Sequence, residues 1–205
     1  MQKLGAEVNY SLGGGYILRN GEPLLSCEGF SDKGRHFTKN LLCALALTDG
    51  HYELSRLCET VAGLSALPHR CERIVSRSGR IFYNSSIDTT PSRTAATLDS
   101  LGEQVGLILG GRGKGLSAEP LIPAIKAHCS AVALYGDVAE ELFDALCGRV
   151  GDVPLIRAER LFDAVDGILT LCDDAILLSP AATSYGEFAG YVERGERFTD
   201  YVKKI

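Results

Sequence analysis

The sequence predicts an α/β fold, a mostly parallel sheet with helices on both faces, and three observations carry that prediction. Beyond Leu67-Pro68, short apolar runs of strand length alternate with longer amphipathic runs of helix length. Parallel neighbours need a crossover segment, and the crossover buries the sheet. The composition, 45% hydrophobic and 23% charged, is close to the average for soluble globular proteins and leaves room for a core. Finally, the loops after the apolar runs carry Gly, Ser, Thr, Asn and Lys, at the strand ends where α/β sheets meet their ligands.

The elements before Pro68 are of a different kind. Residues 16–26, YILRNGEPLLS, set Asn20-Gly21 between two apolar runs, which is the strongest short-range signal for a two-residue hairpin. Residues 40–48, NLLCALALT, are apolar nearly all round, and residues 54–64 continue at helical spacing. Two helices buried against something larger are expected. About sixty residues cannot enclose a core around a hairpin and two helices, so residues 1–66 are expected to be the remnant of a domain.

Residues 67–205 form the sheet domain. A strand at 81–84 leads to Thr90-Pro91, an N-cap with proline at the first helical position, and a helix ending near residue 101. A strand at 105–109 ends in GGRGKG, and Ser117 with Pro120 opens the next helix. The alternation continues with strands at 131–135, 154–156 and 175–178, helices at 138–147 and 160–171, and a last helix at 196–204.

Composition excludes several function classes. The formal net charge is −5, with 26 acidic residues among 21 scattered basic ones, so no basic stripe exists to neutralise nucleic acid. No apolar run approaches the roughly 20 residues that cross a bilayer, and MQKLGAEVNY lacks the apolar stretch of a signal peptide. A cytoplasmic protein with no membrane partner is expected. The seven cysteines (Cys27, Cys43, Cys58, Cys71, Cys129, Cys147, Cys172) form no C-x-x-C pair. Most read as reduced core residues, with no metal site.

The loops hold the candidate chemistry. Gly110-Gly111-Arg112-Gly113-Lys114-Gly115 presents backbone N–H groups and an ammonium to an anion, or is a tight turn with a solvated lysine. It is not a phosphate-binding loop of the G-x-x-x-x-G-K-[ST] type, because Ile108 and Gly115 stand where glycine and a hydroxyl residue are needed. Residues 84–90, NSSIDTT, gather hydroxyls, an amide and a carboxylate before a helix N-terminus, as caps or as ligand donors. Ser179-Pro180-Ala181-Ala182-Thr183-Ser184-Tyr185 has no nearby histidine, so Ser184 suits hydrogen bonding rather than nucleophilic attack. His36 and His69 each adjoin an arginine, and Arg70 stands where the pattern changes, a place suited to reading phosphate.

The ordered phrases GRHFTKN, GLSALPHRCE, FYNSSIDTTPSRT, LILGGRGKG, LLSPAATSYGEF and ERGERF resemble, over essentially the whole chain, the D-glutamate-adding ligases of the Mur ligase family. The resemblance implies that residues 1–66 are the end of an ATP-binding central domain and residues 67–205 a C-terminal Rossmann-like domain. It implies an ATP- and magnesium-dependent ligation of D-glutamate to a UDP-linked muramoyl-alanine precursor through an acyl phosphate. Thr89, Lys114, Ser184 and Tyr191 would then hold D-glutamate, and Asn40, Arg70 and Asp88 would contact ATP. Two positions depart from the family pattern: Phe37 stands at the first asparagine of H-N-x-x-N, and Ser85 stands at the aspartate of N-D-S. The phosphate loop and metal ligands of the family are absent, so missing N-terminal and central domains are the expected partners and these 205 residues alone are expected not to turn over. A free-standing binding module, or part of a sister ligase, are the alternatives.

Overall fold

The computed structural model describes residues 8–28, 35–62 and 67–205, in two compact units, Met1–Ala66 and Leu67–Ile205. The first unit opens with an antiparallel meander of β1 (Tyr10–Gly13), β2 (Tyr16–Arg19) and β3 (Glu22–Ser26). Asn20 and Gly21 both adopt positive φ, 54° and 85°, as a two-residue turn matched to strand twist requires. The β1–β2 pairing goes beyond the expected hairpin. Its turn is Gly14-Gly15, which also takes two positive φ angles, and this dipeptide was the available signal. Helix α1 (Arg35–Thr48) presses Leu41 and Leu45, one turn apart, onto Ile17 of β2. Its other face is open: Leu47 is 80% exposed, against the all-round burial its composition suggests. Helix α2 (Leu54–Ala62) follows. Its expected extension to Leu64, the loop at 29–34 and the first seven residues lie outside the described residues.

The second unit holds a six-stranded sheet. Its elements in chain order are β4 (Glu72–Val75), β5 (Ile81–Asn84), α3 (Pro91–Leu101), β6 (Val105–Gly110), α4 (Leu121–His128), β7 (Cys129–Tyr135), α5 (Ala139–Leu146), β8 (Leu155–Ala158), α6 (Leu161–Leu169), β9 (Ala175–Ala181) and α7 (Tyr191–Val202). The spatial order is β4-β5-β9-β6-β7-β8, all parallel except the antiparallel edge strand β4. Each central strand is buried on both faces. On β6, Leu107 and Leu109 meet α3, α4 and α5 through Leu98, Ile125 and Leu142, while Ile108 meets α6 and α7 through Val165 and Phe198. Double-sided burial is why these strands read as unbroken apolar runs.

Three boundaries differ from the sequence reading for identifiable reasons. β4 has no apolar run, because only Ile74 of Glu-Arg-Ile-Val is buried. Helix α4 begins at Leu121, since the Ser117 hydroxyl accepts the Glu119 N–H (3.2 Å) in a preceding turn rather than capping the helix. Helix α7 starts at Tyr191, five residues before the expected residue 196, and carries Gly195 inside it. A Cβ on Gly195 would lie 2.3 Å from His69 Nδ1, so the glycine is there for close packing and not as a helix stop.

No described cysteine is paired. Burial pushes the Cys71 and Cys129 thiols up to about 12, whereas Cys43 and Cys147 are exposed. In the native protein at pH 7.5, Cys71 and Cys129 are expected to alkylate at least ~100-fold more slowly than Cys43 and Cys147, because the thiolate is the nucleophile. Peptide mass mapping of a timed iodoacetamide reaction reads this directly; equal rates would contradict the burial. No helix among the described residues is long and apolar enough to cross a membrane, and no group of metal-ligating side chains is found among them.

Candidate functional site

Three loops meet beyond the carboxyl ends of β5, β6 and β9. Arg112 and Thr183 exchange backbone hydrogen bonds of 2.9 and 3.0 Å, which locks the glycine-rich loop to the loop after β9. Gly111 makes this possible: at φ +120° its Cβ would lie 2.2 Å from the Thr183 carbonyl oxygen. Ala181 N–H donates to the Asp88 carbonyl oxygen at 2.9 Å, joining the loop after β5 to the same assembly. Ala181 itself sits at φ 58°, a left-handed conformation that the surrounding bonds must hold in place.

Of the residues singled out by sequence, Thr89 and Lys114 come together. The Lys114 ammonium donates to the Thr89 hydroxyl at 3.1 Å, at the exposed surface. Lys114 also borders a recess of about 30 Å³ with Gly113, Gly115 and Pro91, room for little more than a water. Ser184 follows the bridge residue Thr183 and is buried, on the wall of a separate cavity of about 670 Å³. Tyr191 begins α7, 39% exposed, with its ring edge-on to His69 at 6.4 Å and its carbonyl accepting the Ser86 hydroxyl (2.8 Å). It thus stands by His69 and Ser86, with no hydrogen bond or ring contact to Lys114.

Asn84, Ser85, Ser86 and Asp88 face inward. The Asn84 amide nitrogen has three acceptors, His69 Nδ1 (3.0 Å), the Gly195 carbonyl (3.0 Å) and Thr199 Oγ1 (3.1 Å). Asp88 Oδ2 accepts three hydroxyls, from Ser85 (2.6 Å), Thr97 (2.8 Å) and Ser179 (2.9 Å). A buried carboxylate so engaged ties β5, α3 and β9 together, so its first role is to shape the loop. Thr90 occupies the N-cap of α3 with Pro91 at the first helical position, but its side chain makes no capping bond.

The centre of this polar layer is Arg194, in the first turn of α7 and completely buried. Its guanidinium donates to the Ser86 hydroxyl (3.0 Å), the Ser86 carbonyl (2.9 Å) and, from two nitrogens, the Ala182 carbonyl (3.2 Å each). Burial lowers its pKa, and the nearby Tyr135, Glu187 and Asp88 oppose that shift. The sequence reading did not single it out as a functional residue, although the phrase ERGERF contains it. The sequence reading begins the last helix at residue 196, so Arg194 reads as a loop residue, whereas the fold puts it on α7 under two loops.

Arg70 is presented by a strained segment. His69 and Cys71 on either side adopt φ of 60° and 52°, conformations that cost non-glycine residues roughly 1–3 kcal/mol each. Glu72 accepts the His69 N–H (3.1 Å) and Ser85 Oγ the Cys71 N–H (3.2 Å), holding the turn in place. The Arg70 guanidinium has no partner among the described residues and is half-buried. Asn40 lies exposed on α1 in the other unit.

No protein-family model matches the chain. It is 35% identical over 195 residues to the UDP-N-acetylmuramoylalanine–D-glutamate ligase of Nitrosospira multiformis, covering 93% of this chain and 40% of that protein. To the ligase of the same name from Dechloromonas aromatica it is 34% identical over 204 residues, covering 97% of this chain and 44% of the relative. Among solved structures it is similar to Mycobacterium tuberculosis folylpolyglutamate synthase complexed with ADP, with a TM-score of 0.65 at 17% identity over 94% of this chain and 46% of that one. Thermotoga maritima UDP-N-acetylmuramate-alanine ligase gives a TM-score of 0.59 at 15% identity over 82% of this chain and 38% of that one. These two likenesses establish the mostly parallel α/β fold that the alternation predicted. The chain spans less than half the length of its curated relatives, and over nearly its own whole length it is similar to proteins named UDP-N-acetylmuramoylalanine–D-glutamate ligase.

Proposed function

We propose that these residues are the C-terminal part of a cytoplasmic ATP-dependent ligase that joins D-glutamate to a UDP-linked muramoyl-alanine precursor, a step of peptidoglycan synthesis. The observation that carries the reading is the Lys114–Thr89 pair at the meeting point of three rigidly joined loops. A dicarboxylate needs one fixed positive charge and hydroxyl donors in set positions, and Lys114 with Thr89 supplies both. Ser184 and the N-terminal turn of α7 at Tyr191 complete the amino-acid site. The resemblance assigns the nucleotide to Arg70, whose guanidinium has no partner among the described residues, and to Asn40, while Asp88 acts through the loop it holds. ATP and magnesium enter with the rest of the ligase. The 205 residues contain no G-x-x-x-x-G-K-[ST] loop, so the chain alone is expected to release no phosphate from ATP in a precursor-dependent way.

The test is a titration of the ¹⁵N-labelled chain with D-glutamate and L-glutamate. D-glutamate is expected to shift the amides of Thr89, Lys114 and Ser184 saturably, L-glutamate at least ~10-fold more weakly, and Lys114→Ala to lose ~10-fold or more in affinity, the value of one charge-assisted contact. Equal response to both enantiomers, or an unchanged Kd in Lys114→Ala, contradicts the assignment.

A further inference from the structure

The 670 Å³ cavity is larger than the amino-acid site needs, and its position in the sheet is informative. From β6 the chain adds β7 and β8 outward, with α4 and α5 on one face. It then returns by α6 on the opposite face to β9, on the other side of β6. Strand order therefore reverses between β6 and β9, and ligands of such sheets lie in the crevice outside the carboxyl ends at this reversal. The cavity occupies that crevice. Gly111 lines it after β6, Gly136 and Asp137 after β7, Glu159 and Arg160 after β8, and the Ser184–Phe188 loop after β9.

Its chemistry is that of a ribose pocket. In nucleotide-binding sheets of this order, a glycine-rich turn follows the first strand and an acidic residue at the end of the second accepts the ribose hydroxyls. Here GGRGKG follows β6, and Asp137 stands two residues beyond the end of β7. Glycines keep the floor low: at Gly110 a Cβ would lie 2.2 Å from the Tyr135 carbonyl oxygen, and at Gly136 one would lie 3.1 Å from the Gly111 carbonyl oxygen. Asp137 has only a loose 4.0 Å pairing with Arg112, and its side chain is 72% exposed, open to a ligand. Tyr135 lines the cavity, but its hydroxyl is buried beside Arg194, so it offers the ligand a contact surface and not a hydrogen bond.

The departures from a dinucleotide site narrow the ligand. Helix α4 begins six residues after Gly115, so the turn does not feed a helix N-terminus that could cradle phosphate. Asp137, Glu159 and Glu187 outnumber Arg160 on the wall, which disfavours a polyanion. We propose that this cavity is a nucleoside site, in which the Asp137 carboxylate accepts the vicinal hydroxyls of a ribose seated over the glycine floor. The site uses neither Lys114 nor Thr89 and shares only Ser184 with the amino-acid reading above, so shifts at Gly136, Asp137 and Glu159 separate the two.

Adenosine, 2′-deoxyadenosine and ATP titrated into the ¹⁵N-labelled chain and into Asp137→Asn test it. Adenosine is expected to shift Gly136, Asp137 and Glu159 saturably with a Kd below roughly 1 mM, and 2′-deoxyadenosine to bind roughly 10-fold more weakly. Asp137→Asn, whose exposed side chain leaves the fold intact, is expected to weaken adenosine by about the same factor and to erase the difference between the two nucleosides. No saturable shift at roughly 5 mM adenosine, shifts centred on Arg70 instead, an unchanged Kd in Asp137→Asn, or tighter binding of ATP than of adenosine at these amides would each overturn the proposal.

Discussion

Arg194→Ala is expected to lower the stability of the protein by about 3–5 kcal/mol, the range for removing one member of a buried, hydrogen-bonded charged network. The loss has two sources. The Ser86 and Ala182 carbonyls and the Ser86 hydroxyl stay buried without their donor, and a void opens where the guanidinium was. In urea the transition should move by roughly 2 M for a slope of about 2 kcal/mol/M. Arg194→Lys keeps the charge without the planar fork, cannot reach Ser86 and Ala182 together, and is expected to recover less than half of the loss. A midpoint shift under about 0.5 M in Arg194→Ala would show that the loops hold their shape without it.

Asp88→Ala is the second large effect, expected at about 3 kcal/mol, because three hydroxyls lose a common acceptor in a buried site. Asp88→Asn keeps an acceptor oxygen but not its charge, so about 1–2 kcal/mol is expected there. On the proposed function, both variants should also weaken D-glutamate, since Thr89 is the next residue and its loop is anchored by this carboxylate. The pair of measurements, urea melts and D-glutamate titrations of the two variants, distinguishes a scaffold from a direct ligand contact. A direct ligand contact without a scaffold role predicts normal melts with altered ligand affinity.

The parallel sheet was legible because strands buried on both faces cannot hide their apolar content, as Leu107, Ile108 and Leu109 illustrate. Strands with one working face were not: β4 fully buries Ile74 alone, and β1 only half-buries Tyr10 against the core. Gly195 hid the first turn of α7, because a glycine that exists for the sake of His69 looks locally like a helix stop. At the site, Thr89 and Lys114 were legible as a hydroxyl and an ammonium on neighbouring loops, which the fold brings within 3.1 Å. The inward commitment of Asp88 was not, since Thr97 lies nine residues away and Ser179 ninety-one. The left-handed turns flanking Arg70 left no trace either, because histidine and cysteine give no hint of positive φ.

The two rims of the sheet have a consequence for handling the protein. Each outermost strand, β4 and β8, is four residues long, and each displays a charged side chain, Arg73 on one and Arg157 on the other. Arg157 is further fixed outward by Glu140 at 2.7 Å and by the ring of Phe143 at 4.2 Å. Short, charged rims resist strand-by-strand accretion with neighbouring molecules. Precipitation at high concentration should therefore start from the bare flank of α1 around Leu47, and a Leu47→Lys change is the economical way to keep concentrated samples clear.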